Sequence, residues 1–267
     1  MIERKFKALK RRNKKAFIAF ITAGYPNLKT TLRLVLEFAK IGVDIVELGV
    51  PFSDPLADGP VIQEASQSAL KNKINLNNIF DLVKKIRKDT DMPICLMTYY
   101  NPIFCFGEEK FVKKAKASGV DGVIIPDLPP EEGKTFISLA NKSGLDTVLF
   151  LSPTSTKKRI KFVSGLAKGF IYYVSLTGVT GVRANLPSDI VKNIREIKKN
   201  TKKPICVGFG VSLPSHVKQV YKIADGAIVG SAIVKKIKEN LRKPDLVKKV
   251  SNFVRSLKKG GGVTNSV

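Results

Sequence analysis

Short apolar, β-branched runs recur along the chain, separated by segments in which apolar residues return every three or four positions. The runs are Ala16 to Ile21, Asp44 to Leu48, Pro93 to Met97, Gly122 to Ile125, Thr147 to Leu151, Phe170 to Val174, Pro204 to Val207 and Gly226 to Val229. Between them, Thr30 to Ile41, Ile79 to Lys88, Glu108 to Ser118, Pro130 to Ser143, Ile190 to Lys199 and Leu213 to Ile223 set Lys and Glu on one helical face and apolar residues on the other. Buried runs alternating with amphipathic helices are the pattern of βα units on a parallel sheet. Eight of them in about 250 residues fit an α/β fold, a closed (β/α)₈ TIM barrel, with an open doubly wound sheet as the alternative. No G-x-G-x-x-G turn follows the first run, which weakens the dinucleotide-binding form of that alternative. Met1 to Lys15 and Pro60 to Leu70 read as added helices, the first an extra N-terminal helix that could cap the closed end of the barrel. Residues 1–259 are expected to form one barrel domain. Residues 260–267, with three glycines and small polar residues, are expected to be a disordered tail.

Composition narrows this little further. The 267 residues are 43% hydrophobic and 26% charged, as in ordinary globular domains, and no apolar stretch approaches the roughly 18 residues that span a bilayer. The cysteines, Cys95, Cys105 and Cys206, match no zinc or redox spacing and lie in or beside apolar runs, so buried thiols are expected. His216 is the only histidine and sits in a polar helix start, which argues against a Ser-His or Cys-His mechanism. The net charge of +25 raises a nucleic-acid or anionic-surface reading. Against it, the basic residues are spread over nearly every polar helix face, and the 37 Lys against 10 Arg suggest compositional drift rather than selection for phosphate forks.

The chemistry is expected where barrel strands end. After the first run comes Thr22-Ala23-Gly24. The second carries Glu47 and leads into Pro51-Phe52-Ser53-Asp54-Pro55-Leu56-Ala57-Asp58-Gly59-Pro60; the third ends in Tyr99-Tyr100-Asn101-Pro102 and the fourth in Asp127. Glu47, alone among apolar neighbours, must be paired, protonated or functional, and burial would raise its pKa into the range of acid-base work. Asp58 supplies a second carboxylate in a wetter setting, and two carboxylates in different environments can take different roles. The small residues of Ser175 to Gly181 suit a lid. Gly208-Phe209-Gly210 and Gly230-Ser231 let backbone N–H groups approach an anion at the start of a helix, a phosphate seat.

These residues resemble the tryptophan synthase α subunit family over nearly the whole chain. Glu47 to Pro60 is the most specific match. Met97-Thr98-Tyr99-Tyr100-Asn101-Pro102, Pro126-Asp127-Leu128-Pro129, Gly178-Val179-Thr180-Gly181 and Gly208-Phe209-Gly210 follow in the same order. The resemblance implies a barrel that cleaves indole-3-glycerol phosphate to indole and glyceraldehyde 3-phosphate. It implies no cofactor or metal in this chain, and an αββα heterotetramer whose β subunit carries pyridoxal phosphate and condenses indole with L-serine. By the same resemblance Glu47 is the acid-base, Asp58 its partner and Tyr172 the active-site tyrosine. Phe20, Met97, Tyr99, Ile124 and Phe209 hold the indole ring. Gly181, Phe209, Gly210, Gly230 and Ser231 hold the phosphate, Thr180 closes the lid, and Asp54 touches the β subunit. Neither nucleic acid nor membrane is an implied partner.

The chain departs from the family at Leu176-Thr177, where some relatives carry an Arg-containing pair, and at Tyr25, where many carry Asp. The pattern begins almost at Met1, which leaves no room for a transit peptide and, with the lysine bias, predicts a bacterial cytoplasm or the stroma of a plastid that encodes the chain. Two rivals stay open on the residues alone: another phosphate-handling barrel such as an indole-glycerol-phosphate synthase or a phosphosugar isomerase, and an anion-binding barrel without turnover.

Overall fold

The structure, a computed structural model, describes residues 1–174, 188–208 and 210–260. The chain opens with α1 (Ile2–Arg11), then runs β1 (Ala16–Thr22), α2 (Leu28–Lys40), β2 (Ile45–Gly49), α3 (Pro60–Lys71), α4 (Leu76–Ile86), β3 (Ile94–Met97), α5 (Tyr100–Phe106), α6 (Glu108–Ser118) and β4 (Gly122–Ile124). It continues through α7 (Lys134–Lys142), β5 (Asp146–Leu151), α8 (Lys157–Leu166), β6 (Ile171–Tyr173), α9 (Ser188–Asn200), β7 (Ile205–Val207), α10 (Pro214–Ile223), β8 (Gly226–Val229), α11 (Ser231–Lys238) and α12 (Leu246–Gly260). The strands close in sequence order, each parallel to the next, and β8 returns to β1. This is the (β/α)₈ barrel that the alternation predicts.

The pleat sorts the core into two shells. Residues such as Phe17, Val46, Leu48 and Leu96 pack outward against the helices. Their alternates, Ala16, Ile18, Ile45, Cys95, Ile124, Val148, Tyr172, Cys206 and Ile228, meet inside the barrel. Helix α1 plugs the N-terminal end, its Ile2, Phe6 and Leu9 joining that inner cluster, with the Phe6 ring 5.8 Å from Phe170. Ile2 sits so close to Gly122 that a Cβ there would lie 2.8 Å from its Cδ1, which leaves no space for a side chain. The expected cap over the closed end is therefore part of the core.

The strand positions read from sequence agree with the structure to within about one residue at each end, whereas several helices differ. The segment Tyr100-Asn101-Pro102, read as a strand end, starts α5. Pro102 occupies the third helical position, where its missing N–H has no intrahelical acceptor to lose. The helix expected from Pro130 begins only at Lys134, because the Glu132 and Gly133 N–H groups both turn back to the Pro129 carbonyl. Gly260, placed in the tail by sequence, ends α12, and residues 261–267 lie outside the described residues. Cys95 and Cys206 are buried as expected, but Cys105 is exposed: α5 buries Ile103 and turns Phe104 and Cys105 outward.

Candidate active site

Glu47 lies in the middle of β2, opposite Phe20 on β1 and Cys95 on β3. Its neighbour two residues back, Ile45, points into the barrel, so the pleat turns Glu47 the same way. The side chain is fully buried, and among the described residues neither carboxylate oxygen has a hydrogen-bond partner. No lysine reaches it, which removes the reading of a structural ion pair. Burial, unopposed by any donor or cation among the described residues, pushes its pKa up to about 8. At neutral pH the group is a carboxylic acid that holds a proton to give.

The second carboxylate is presented by the loop from β2 to α3. The Tyr99 hydroxyl donates to Asp58 Oδ2 at 3.1 Å and accepts from the Ala57 N–H at 2.9 Å, while the Tyr99 ring lies 5.2 Å from that of Phe52. The Gln63 amide donates to the Asp58 carbonyl at 2.9 Å, which secures the other side of the loop. Partial burial raises the Asp58 pKa to about 6, and the Tyr99 hydrogen bond opposes the rise. Asp58 therefore ionises below Glu47, and the two carboxylates separate into a base form and an acid form over the same pH range. Tyr99, expected as part of an apolar wall, also clamps this loop.

Tyr172, on β6, is buried with its ring 5.0 Å from that of Phe150. Gly208 at the end of β7 leaves it room, since a Cβ there would fall 2.3 Å from the phenol oxygen. Burial first, then the nearby Glu47 and Asp58 charges, hold its phenol well above the usual range. It is a neutral donor within electrostatic reach of both carboxylates. Met97 and Ile124 line the same interior, Met97 in register with both Gly49 and Ile124, and the Phe20 ring reaches the same end of the barrel, where a Cβ on Gly49 would fall 2.6 Å from its Cζ. Gly230 precedes the first turn of α11, which begins at Ser231, so the first N–H groups of that helix have no intrahelical acceptor and are free for an anion.

The structure thus gathers Glu47, Asp58, Tyr99, Tyr172, Phe20, Met97, Ile124, Gly230 and Ser231 at the C-terminal end of the barrel. Gly210 follows β7 on the exposed rim, with φ +61°. Asp54 is exposed on the β2–α3 loop, where it accepts from the Ser53 hydroxyl at 2.5 Å, and the adjacent Leu56 is 93% exposed. Thr180, Gly181 and Phe209 lie outside the described residues. Asp127, noted from sequence only as a strand end, accepts the Tyr100 N–H at 2.9 Å and caps α5. His216 is buried and accepts from the Ser212 N–H at 3.3 Å. Phe150 went unmarked in the sequence, though its place one residue before the end of the fifth apolar run would have found it. Among the described residues no three His, Cys, Asp or Glu side chains cluster as a metal site would require.

The family model described as tryptophan synthase alpha chain matches residues 6–261. The tryptophan synthase alpha chain of Geotalea uraniireducens (strain Rf4) is 48% identical over 255 residues, 96% of this chain and 95% of the relative. Among solved structures, tryptophan synthase subunit alpha from Legionella pneumophila str. Paris superposes with a TM-score of 0.91 at 36% identity, over 97% of each chain. A chain of the tryptophan synthase complex from Pyrococcus furiosus gives 0.84 at 38% identity, over 91% of this chain and 98% of that one.

Proposed function

The chain belongs to the tryptophan synthase alpha chain family, and from that premise we propose that Glu47, Asp58 and Tyr172 carry its chemistry. Its reaction is a lyase reaction, the retro-aldol cleavage of indole-3-glycerol phosphate to indole and glyceraldehyde 3-phosphate. The indole passes to the β subunit for condensation with L-serine to L-tryptophan. The α chain needs no cofactor of its own, and pyridoxal phosphate belongs to the β partner.

Cleavage requires one proton to reach indole C3 and one to leave the hydroxyl on the adjacent side-chain carbon. Glu47, protonated, delivers the first. The ring nitrogen then carries positive charge, and Asp58, ionised, accepts its N–H; that hydrogen bond strengthens as the charge develops and so favours the transition state over the ground state. Loss of the hydroxyl proton to the Glu47 carboxylate forms the aldehyde C=O. The C3–carbon bond breaks, and its electron pair returns to the ring as indole. The acid is regenerated and the proton count closes. Tyr172 and Phe150 wall Glu47 from water, Phe20, Met97, Tyr99, Ile124 and Phe209 bound the ring, and Gly181, Phe209, Gly210, Gly230 and Ser231 seat the phosphate. Thr180 closes the lid, and Asp54, on the exposed β2–α3 loop, meets the β subunit in an αββα assembly. We further infer that residues 1–259 act as one barrel domain. The chain's place of action follows its bacterial relatives and its lysine bias: a bacterial cytoplasm, or the stroma of a plastid that encodes it, and an imported longer precursor would contradict this.

The observation that carries this reading is a fully buried carboxyl without a partner among the described residues, inside the barrel below a second carboxylate that a tyrosine holds in place. Its test is indole release from indole-3-glycerol phosphate by the purified chain, alone and with a β subunit, beside Glu47→Gln. The substitution is expected to lower turnover by about 10² to 10⁴-fold while substrate still binds, and the β subunit is expected to raise the wild-type rate. Appreciable turnover by the variant would remove Glu47 from its role, and equal rates with and without β would contradict the coupling.

A further inference from the structure

We propose that Thr22 is a further substrate-contacting residue, its hydroxyl holding the non-reacting hydroxyl of the three-carbon chain while Glu47 works on its neighbour; this rests on the site reading above. Thr22 is the last residue of β1 and pairs in register with Gly49, two residues past the pairing of Phe20 with Glu47. Ala16 and Ile18 face the barrel interior, so the pleat sends Phe20 and Thr22 the same way. The threonine is 1% exposed, and its hydroxyl has no hydrogen-bond partner among the described residues. Both oxygens of Glu47 share that condition, and among the other described residues only the hydroxyls of Ser164 and Ser251 do. A buried polar group without a partner costs stability, so an unpaired hydroxyl beside an unpaired acid marks a place where something polar is meant to bind.

The topology says what that is. Strand β1 lies between β2, which carries Glu47, and β8, which leads into Gly230 and Ser231. A substrate with its ring at Glu47 and its phosphate at the start of α11 must lay its three carbons across the end of β1. Phe20 paves that crossing: a Cβ on Gly49 would fall 2.6 Å from its Cζ, and one on Gly230 would fall 3.2 Å from its Cδ1. Thr22 stands one pleat closer to the mouth and brings the strand's one polar side chain to the crossing. The carbon next to the ring bears the hydroxyl that becomes the aldehyde oxygen. The following carbon bears a hydroxyl that does not react, and a threonine can both donate to it and accept from it. Fixing that hydroxyl fixes rotation about the carbon–carbon bond and so the alignment of the bond that breaks.

The experiment compares Thr22→Val, which keeps the shape and loses the hydroxyl, with Thr22→Ser, which keeps the hydroxyl, in the complex with the β subunit. Indole release by Thr22→Val should fall about tenfold in kcat/KM, the loss of one hydrogen bond in a buried site, whereas Thr22→Ser should stay within about twofold of the wild type. The second measurement is the affinity for indole-3-propanol phosphate, which has the ring, the three carbons and the phosphate but neither hydroxyl. The proposal requires its Kd to be equal in the wild type and Thr22→Val. Wild-type turnover in Thr22→Val would overturn the assignment, as would a Kd for the propanol phosphate weakened as much as turnover, which would mean a packing role. Failure of the wild-type chain to bind the propanol phosphate at all would instead bring down the site reading, and this proposal with it.

Discussion

A carboxyl folded into a barrel without a cation or donor stays neutral until the solution is alkaline, and one held at the rim by a phenol does not. In the roles proposed for them, that difference between Glu47, at about 8, and Asp58, at about 6, sets the pH dependence expected of the reaction. The proposed mechanism needs Asp58 ionised, so activity should fall as pH drops through about 6. It also needs Glu47 protonated, so activity should fall again as pH rises through about 8. The expected kcat/KM profile is a bell between those limbs. Tyr99→Phe removes the hydrogen bond that lowers the Asp58 pKa, so the acidic limb should move to higher pH while the alkaline limb stays. A profile that drops in height with both limbs unmoved would show that Tyr99 only shapes the pocket. Glu47 was legible in the sequence because a single charge stands in an apolar run. The Tyr99 clamp on Asp58 was not, because the two residues lie 41 positions apart and only the curl of the β2–α3 loop joins them.

Periodicity located the strands because a barrel strand is buried on both faces and its apolar run has sharp ends. It served the short helices less well. In α8, Lys157–Leu166, only Ile160 and Val163 are buried, so the segment carries too thin an apolar stripe to read as a helix. The apolar run of α5 misled in the opposite direction, since one turn of it faces solvent and Phe104 is 66% exposed. Helix α1 has the clearest consequence for energetics. It was legible as an added helix within Met1 to Lys15 that could cap the closed end, and the structure makes its Ile2, Phe6 and Leu9 part of the core there. Phe6→Ala would leave a cavity beneath Phe170, at the far end of the barrel from Glu47. It is expected to cost about 3 kcal/mol in denaturant unfolding, in the usual range for a buried Phe→Ala change, with kcat unaltered. A loss below about 1 kcal/mol would make α1 an appendage rather than part of the core.

Across the whole molecule the charge imbalance acts as a field. With 47 basic residues against 22 acidic ones, the cations exceed the anions by 25. Some surface carboxylates are already engaged, Asp225 by Lys15 and Lys198, Glu131 by Arg159, Glu64 by Lys238 and Asp245 by Lys249, while Arg87 is taken up by the buried Asp121. The surface pairs contribute little each, and the unpaired excess repels itself. Screening should therefore relieve more repulsion than it weakens attraction, so raising NaCl from about 10 mM to about 200 mM, which shortens the screening length from roughly 30 Å to below 10 Å, should raise the unfolding midpoint. The same field draws in a phosphate-bearing substrate, and at the higher salt that attraction fades. Over the same range kcat/KM for indole-3-glycerol phosphate should fall while kcat holds, since chemistry inside the closed barrel is shielded from bulk ions and encounter is not. Stability and kcat/KM are thus expected to respond to salt with opposite sign. A midpoint that falls with salt would mean that the surface ion pairs outweigh the repulsion, and an unchanged kcat/KM would mean that the excess charge has no part in gathering substrate.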